Sequence, residues 1–297
     1  MDGVSFSVAP GRLTGLVGES GSGKTVSVLS IMRLLPEGAR VTSGSIVFDG
    51  ADLLRLSEAE MRAIRGARIA MIFQEPMTSL NPVFTIGNQV GEAVRLHQRT
   101  NRHETRERTV EALRMVGIAD PERRIDDYPH QLSGGMRQRV MIAMALACNP
   151  QVLIADEPTT ALDVTIQAQI LDLIRDLQVR LGLAVILVTH DLGIVAQYAD
   201  DVVILYAARV MERTSAAELF RNPLCPYTKG LLASIPGADG GRHRRLQAIP
   251  GLIPSAMNPP AGCRFHPRCP IVIDDCTRID PPLEEKAPGH HVACIRV

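Results

Sequence analysis

Two hydrophobic periods alternate along the chain. Short unbroken apolar runs at RLTGLVG (12–18), RIAMIFQ (68–74), VLIADE (152–157) and LAVILVTH (183–190) predict buried strands. Helical spacing follows the first run in VSVLSIMRLL (26–35), and it recurs in Ile166, Ile170, Leu173, Ile174, Leu177 and Leu181, with Gly182 placed to end that helix. Strand-helix-strand alternation of this kind predicts an α/β fold, a mostly parallel sheet covered by helices, with ligands bound at the carboxyl ends of strands. From about Pro76 to Asn149 the strand signal fades, and ETRERTVEALRMVG sets Val110, Leu113 and Val116 on one helical face. A helical subdomain is expected there, over about 76–149. After residue 236 the pattern stops: GADGGRHRR and many prolines predict a small irregular appendage over 237–297, beside a main domain over 1–236.

Composition narrows the function classes. The 297 residues include 32 basic and 32 acidic side chains, so no global field draws the protein to nucleic acid or anionic lipid. Binding of a polyanion must come from a local site. The longest apolar run, VMIAMALAC (140–148), falls short of the roughly 20 residues that cross a bilayer. The start, MDGVSFSVAPGR, has neither a basic end nor an apolar signal core, which leads to the expectation of a cytosolic protein. Six cysteines in such a setting are read as thiols or metal ligands rather than a disulfide framework.

The turn between the first strand and the first helix is GESGSGKT, residues 18–25, which fits GxxxxGK[ST]. In that pattern Gly18, Glu19, Ser20, Gly21, Ser22 and Gly23 wrap backbone N–H groups around a phosphate at the positive end of a helix dipole. Lys24 reaches the outer phosphates as a point charge. The Thr25 hydroxyl suits magnesium, a hard cation that prefers oxygen. VLIADE ends in two carboxylates, of which Asp156 can hold magnesium through water and Glu157 can orient or deprotonate an attacking water. The pair points to hydrolysis rather than binding alone.

LSGGMRQR (132–139), lying between those two elements, makes the chain resemble the ATPase subunit of ATP-binding cassette (ABC) transporters along nearly its whole length. The resemblance implies a P-loop ATPase core with the LSGG motif on the helical subdomain. It implies that Ser133, Gly134 and Gly135 face the γ-phosphate held by a second subunit, so that ATP and Mg2+ are clamped in a dimer. It further implies that Gln74 senses magnesium and water, that TTALD (159–163) with Asp163 communicates across the dimer, and that His190 contacts the γ-phosphate. Asp163 is also an N-cap candidate. Met136 stands where many relatives carry glutamine. In the family an aromatic ring stacks on adenine from farther upstream than this chain reaches, and the first strand of the small antiparallel sheet is missing too, as if the start were truncated.

EPMTSLNPVFTIGNQV (75–90), NPLCPYTKGLLASIP (222–236) and IPSAMNPPAGCRFHPRCP (253–270) are similar to the oligopeptide and dipeptide import branch. That branch implies two membrane permease subunits, a second and different ATPase subunit, a solute-binding protein, no nucleic acid, and a peripheral place on the cytoplasmic face of a prokaryotic membrane. The apolar residues in 75–90 are expected to dock a short permease helix. Import of another solute such as nickel or glutathione, and a soluble ABC ATPase of nucleic-acid repair or translation, are the alternatives. Cys263, Cys269, Cys276 and Cys294 are separated by five, six and seventeen residues. Four thiolates suit a [4Fe-4S] cluster, which some members of the branch carry in this region; zinc sites usually show tight Cys-x-x-Cys pairs, which are absent, and zinc, free thiols and a redox-sensing role are the alternatives. His266, His290 and His291 are read as surface histidines, with substitute metal ligands as the alternative, Cys148 as helix packing, and Cys225 has no assigned partner.

Overall fold

β1 (Leu13–Val17) is buried at every position because parallel strands flank it on both sides: β6 (Ala184–Thr189) on one, β7 (Asp201–Tyr206) on the other. The structure, a computed structural model, describes the chain except residues 75–78, 161, 236–247 and 256–257. The sheet continues outward from β6 through β5 (Val152–Asp156) to β4 (Ile69–Ile72), all parallel. Each strand carries apolar residues on both faces, as a doubly covered sheet requires. Leu13, Leu153 and Leu187 pack with helices Ile86–Gln98, Arg102–Met115, Gly134–Leu146 and Val164–Leu181 on one side. Leu16, Ile154 and Ile186 pack with helices Lys24–Met32 and Glu58–Ile64 on the other. β2 (Val47–Phe48) and β3 (Ala51–Asp52) form a separate antiparallel pair.

The helical segment is confirmed between β4 and β5, although its expected start at Pro76 lies outside the described residues. The helix expected over 26–35 begins at Lys24 and stops at Met32, because Arg33 turns left-handed (φ 51°). The strand expected through Gln74 stops at Ile72, and Phe73 is already 44% exposed. Val164–Leu181 ends at Gly182, whose φ of 66° lets its N–H return to the Gln178 carbonyl.

On the other side of β7 the sheet turns antiparallel through β8 (Arg209–Ser215), and the appendage completes it. β10 (His290–Val292) pairs with β8, and β9 (Glu284–Ala287) closes the edge. The rest of the described appendage is irregular apart from two short 3-10 helices, His266–Arg268 and Asp274–Thr277, and its expected boundary at 236/237 lies outside the described residues. The reading of His290 as a surface residue is corrected: it is fully buried, and its Nε2 lies 2.7 Å from Oε1 of the equally buried Glu212. That carboxylate also accepts the backbone N–H groups of Leu224 and Cys225. Its chemistry explains the position, since a charge taken from water needs partners on all its oxygens. His290→Ala, which strips one partner from a fully buried group, is expected to lower unfolding free energy by about 3–5 kcal/mol in a denaturant titration.

Candidate functional site: a nucleotide cradle and a gripped carboxylate

The phosphate-type loop is shaped by close approach. A Cβ on Gly18 would sit 2.1 Å from the Leu205 carbonyl oxygen of β7, and Gly21 and Gly23 take φ of 77° and 100°. Lys24 is 5% exposed and its Nζ donates to the carbonyls of Gly18 (2.8 Å) and Glu19 (3.1 Å), so the ammonium is held inside the arch of the loop. Burial pushes its pKa down, against the pull of Glu157, Asp156 and Glu19. Ser22 Oγ is buried without a hydrogen-bond partner, an orphaned donor inside the cradle that a phosphate oxygen would satisfy.

Thr25 Oγ1 donates to Asp156 Oδ1 at 3.2 Å, which joins the two residues expected at magnesium. Asp156 is 2% exposed, and burial raises its pKa. An oxygen pair held like this fits a hard divalent cation, whose charge would neutralise developing charge on the β- and γ-phosphates. Gln74, the third residue expected there, donates from its Nε2 to Glu157 Oε2.

Glu157 is the hub. It follows β5 in a left-handed conformation (φ 45°), a strained geometry for a non-glycine residue of the kind that clusters at functional sites. Its Oε2 accepts from Gln74 Nε2 (3.0 Å) and Thr160 Oγ1 (3.1 Å), and its Oε1 lies 3.2 Å from His190 Nδ1. Burial works to raise its pKa, but His190, Thr160 and the Lys24 charge together hold it below the usual carboxylate value. A carboxylate so poised is ionised at neutral pH and able to orient or deprotonate water. Thr160 was named only as part of TTALD, and its grip on Glu157 was missed; a hydroxyl three residues after the carboxylate was the available signal. Beside this hub an open cleft is lined by Thr159, Gln167, Thr189 and Asp191.

The LSGG element takes the expected local form. Ser133 caps the helix Gly134–Leu146 by accepting from the Met136 N–H at 3.3 Å, so its N-terminal N–H groups stay at the helix's positive end. A Cβ on Gly135 would lie 2.8 Å from Ile166 Cγ2, so a larger residue there would have to displace that side chain. Asp163 is the N-cap of Val164–Leu181 and accepts from the Ile166 N–H at 2.9 Å. Ala161, between them in TTALD, lies outside the described residues, as do residues 75–78 of the expected docking stretch. Val83 and Phe84 from that stretch are 70% and 51% exposed.

This ordered set of parts has a counterpart among known proteins. Residues 1–160 match the sequence profile described as ABC transporter. The chain belongs to the ABC transporter family. As an ATPase of that family it shares its fold with the dimeric ATP-binding cassette MJ0796 in a post-hydrolysis state bound to ADP and Pi (TM-score 0.63, 31% identity, 72% of this chain and 89% of that one). The fold is also that of cbiO1 from Clostridium perfringens (TM-score 0.64, 30% identity, 74% and 83%). Residues 211–276 match the profile of the oligopeptide/dipeptide transporter C-terminal region. Similar curated proteins include a probable peptide ABC transporter ATP-binding protein, y4tR, of Sinorhizobium fredii (56% identity over 100% of this chain and 89% of the relative). The dipeptide transport ATP-binding protein DppD of Escherichia coli is 49% identical over 99% and 90%.

None of the six cysteines is in a disulfide, and among the described residues no group of three or more His, Cys, Asp or Glu is placed to hold a metal ion. The four tail thiols do share one corner. The Cys263 N–H donates to the Cys276 carbonyl at 2.9 Å, and Cys263 is pushed up to about 11 by burial first and then by Cys276, Cys294 and Cys269. The four thiols are near enough to act on one another's charge. Cys225 is fully buried within range of Glu212 and Cys294, both of which add to the effect of burial in raising its pKa.

Proposed function

We propose that this ATPase powers import of dipeptides or oligopeptides through membrane permease subunits, working as one of two non-identical cassettes served by a solute-binding protein. The observation that carries the catalytic half is the Glu157 carboxylate gripped by Gln74, Thr160 and His190 beside the Lys24 cradle. The peptide half is supported by a probable peptide transporter ATP-binding protein and a dipeptide transport ATP-binding protein 56% and 49% identical to the chain.

In this reading the phosphate loop holds the triphosphate on its own face, and Ser133–Gly135 of one subunit closes on the γ-phosphate held by the other. Glu157 takes the proton of the water as its oxygen bonds to the γ-phosphorus and the bond to the ADP oxygen breaks, Gln74 and His190 hold that carboxylate in line, and Thr25 with Asp156 would hold the cation. Rigid-body closure on ATP and opening after hydrolysis would be passed to the permeases through the exposed Val83 and Phe84. No described helix is long and apolar enough to cross a membrane. In this reading the permeases hold the ATPase at the cytoplasmic face of the membrane. A [4Fe-4S] cluster on the four tail cysteines belongs to this reading through the family resemblance and their shared corner; iron and acid-labile sulfide in anaerobically purified protein would be its sign, and their absence would end it. The test of the function is co-purification with the neighbouring permeases and binding protein in proteoliposomes, where peptide should stimulate hydrolysis. Hydrolysis that no peptide stimulates, or that nickel or glutathione stimulates instead, overturns the peptide assignment.

A further inference from the structure

The tail segment that runs from Cys263 to Cys269 inserts two buried arginines beneath the phosphate loop. Arg268 is 7% exposed and grips Glu19, the second residue of the loop, with both nitrogens: Nη1 to Oε2 at 2.7 Å and Nη2 to Oε1 at 3.1 Å. Its remaining donors are spent on the Pro250 and Ile249 carbonyls and on Tyr206 Oη, at 3.0, 3.2 and 3.3 Å. A planar fork so fully committed has one available orientation. The Glu19 N–H in turn donates to Tyr227 Oη at 3.1 Å, and Tyr206, Tyr227 and Phe265 form one aromatic cluster with centroids 4.6–5.3 Å apart.

Arg264 supports the same loop from the hairpin side. It donates to the Ala207 carbonyl, and the next residue, Ala208, donates its N–H to the Ser22 carbonyl at 3.0 Å. Glu19 is also close enough to Lys24 to act on its charge. A carboxylate there, left unneutralised, would compete with the phosphates of a nucleotide for the same ammonium and repel the incoming anion.

We propose that Arg268 is a positioning residue for the nucleotide: by holding the Glu19 carboxylate bidentately it fixes the outer turn of the phosphate loop and cancels a negative charge that otherwise opposes ATP at Lys24. The cysteine corner and the nucleotide cradle are thereby mechanically one unit, since Arg264 and Arg268 lie between the first two of its four thiols. This rests on the loop being the nucleotide site.

The test measures MgATP and ADP dissociation constants on the full chain for Arg268→Ala, Arg268→Lys, Glu19→Gln and the double variant Glu19→Gln/Arg268→Ala, with melting curves alongside. Arg268→Ala should weaken both nucleotides about tenfold and raise KM more than it lowers kcat. The double variant should recover to within about threefold of the parent, because the opposing charge has gone with its partner. A purely structural latch predicts no recovery. Either affinity within twofold of the parent for a folded Arg268→Ala, or a double variant as weak as Arg268→Ala, overturns the proposal. Should Arg268→Ala fail to fold, Arg268→Lys keeps the charge without the fork and is expected to lose about threefold, with Glu19→Gln/Arg268→Lys near the parent; equal affinities for Arg268→Lys and the parent would overturn the proposal there. Lys24→Ala is the control on the premise, and if it binds nucleotide as the parent does, the site assignment fails rather than the role of Arg268.

Discussion

Glu157→Gln is expected to bind ATP within about twofold of the parent while hydrolysing it about 10²- to 10⁴-fold more slowly, the range that a positioned general base contributes. The amide keeps the size of the side chain and can still accept from Gln74 or Thr160, so the left-handed turn and the hydrogen-bonded frame survive. What is lost is the second basic oxygen and the charge that makes His190 a favourable neighbour. The nucleotide cradle is built on a different element, the loop after β1, which explains why binding is spared. Binding is measured by titration with ATP and turnover by phosphate release in the same preparation. The parent enzyme carries a matching signature in pH. Because the folded Glu157 pKa lies below the ordinary carboxylate value, the group is active above that lowered pKa and is protonated only below it. The acid limb of kcat should therefore fall below the usual carboxylate range. Turnover preserved in Glu157→Gln, or an acid limb above that range, removes Glu157 from the base role.

Lys24→Ala is expected to weaken ATP and ADP binding by about 100-fold. In the parent, the buried ammonium bridges the Gly18 and Glu19 carbonyls and centres positive charge in the arch. Removal takes away the charge facing the outer phosphates and leaves two carbonyls in a tight turn without their donor, at a cost of order 1–3 kcal/mol for the unpaired groups. Asp156 and Glu157, which Lys24 attracts in the parent, then face the incoming anion with less compensation. Fluorescent-nucleotide titration reads the effect, and affinity within a factor of two of the parent contradicts it. The two variants separate the chemistry cleanly, since one loses capture and the other loses water activation.

Motifs that are local in sequence were legible because their function is local in geometry. A phosphate loop needs glycines, a lysine and a hydroxyl within eight consecutive residues, and Gly18–Thr25 supplies them. Strands buried on both faces need unbroken apolar runs, and β1, β4, β5 and β6 have them. The β7–β8 hairpin and the final β10–β9 pair escaped the pattern reading. β10 is only three residues, His-His-Val, and its pairing with β8 is fixed by a buried carboxylate that lies 78 positions away, a contact no periodicity announces. His290 looked like solvent-exposed polarity for the same reason.

The sequence by itself determined the parts: a parallel sheet with a phosphate loop, a carboxylate pair at a strand end, an LSGG motif in a helical segment and a tail with four thiols, each written in residues that neighbour one another along the chain. Only the tertiary structure decided how the parts are wired. Gln74, Thr160 and His190 meet on Glu157 because β4, β5 and β6 end side by side, and Arg268 reaches Glu19 across 249 positions because the tail folds back over the aromatic cluster behind β7. Hydrogen bonds and ion pairs depend on distance in space, and a linear pattern records that distance only where space and sequence run together.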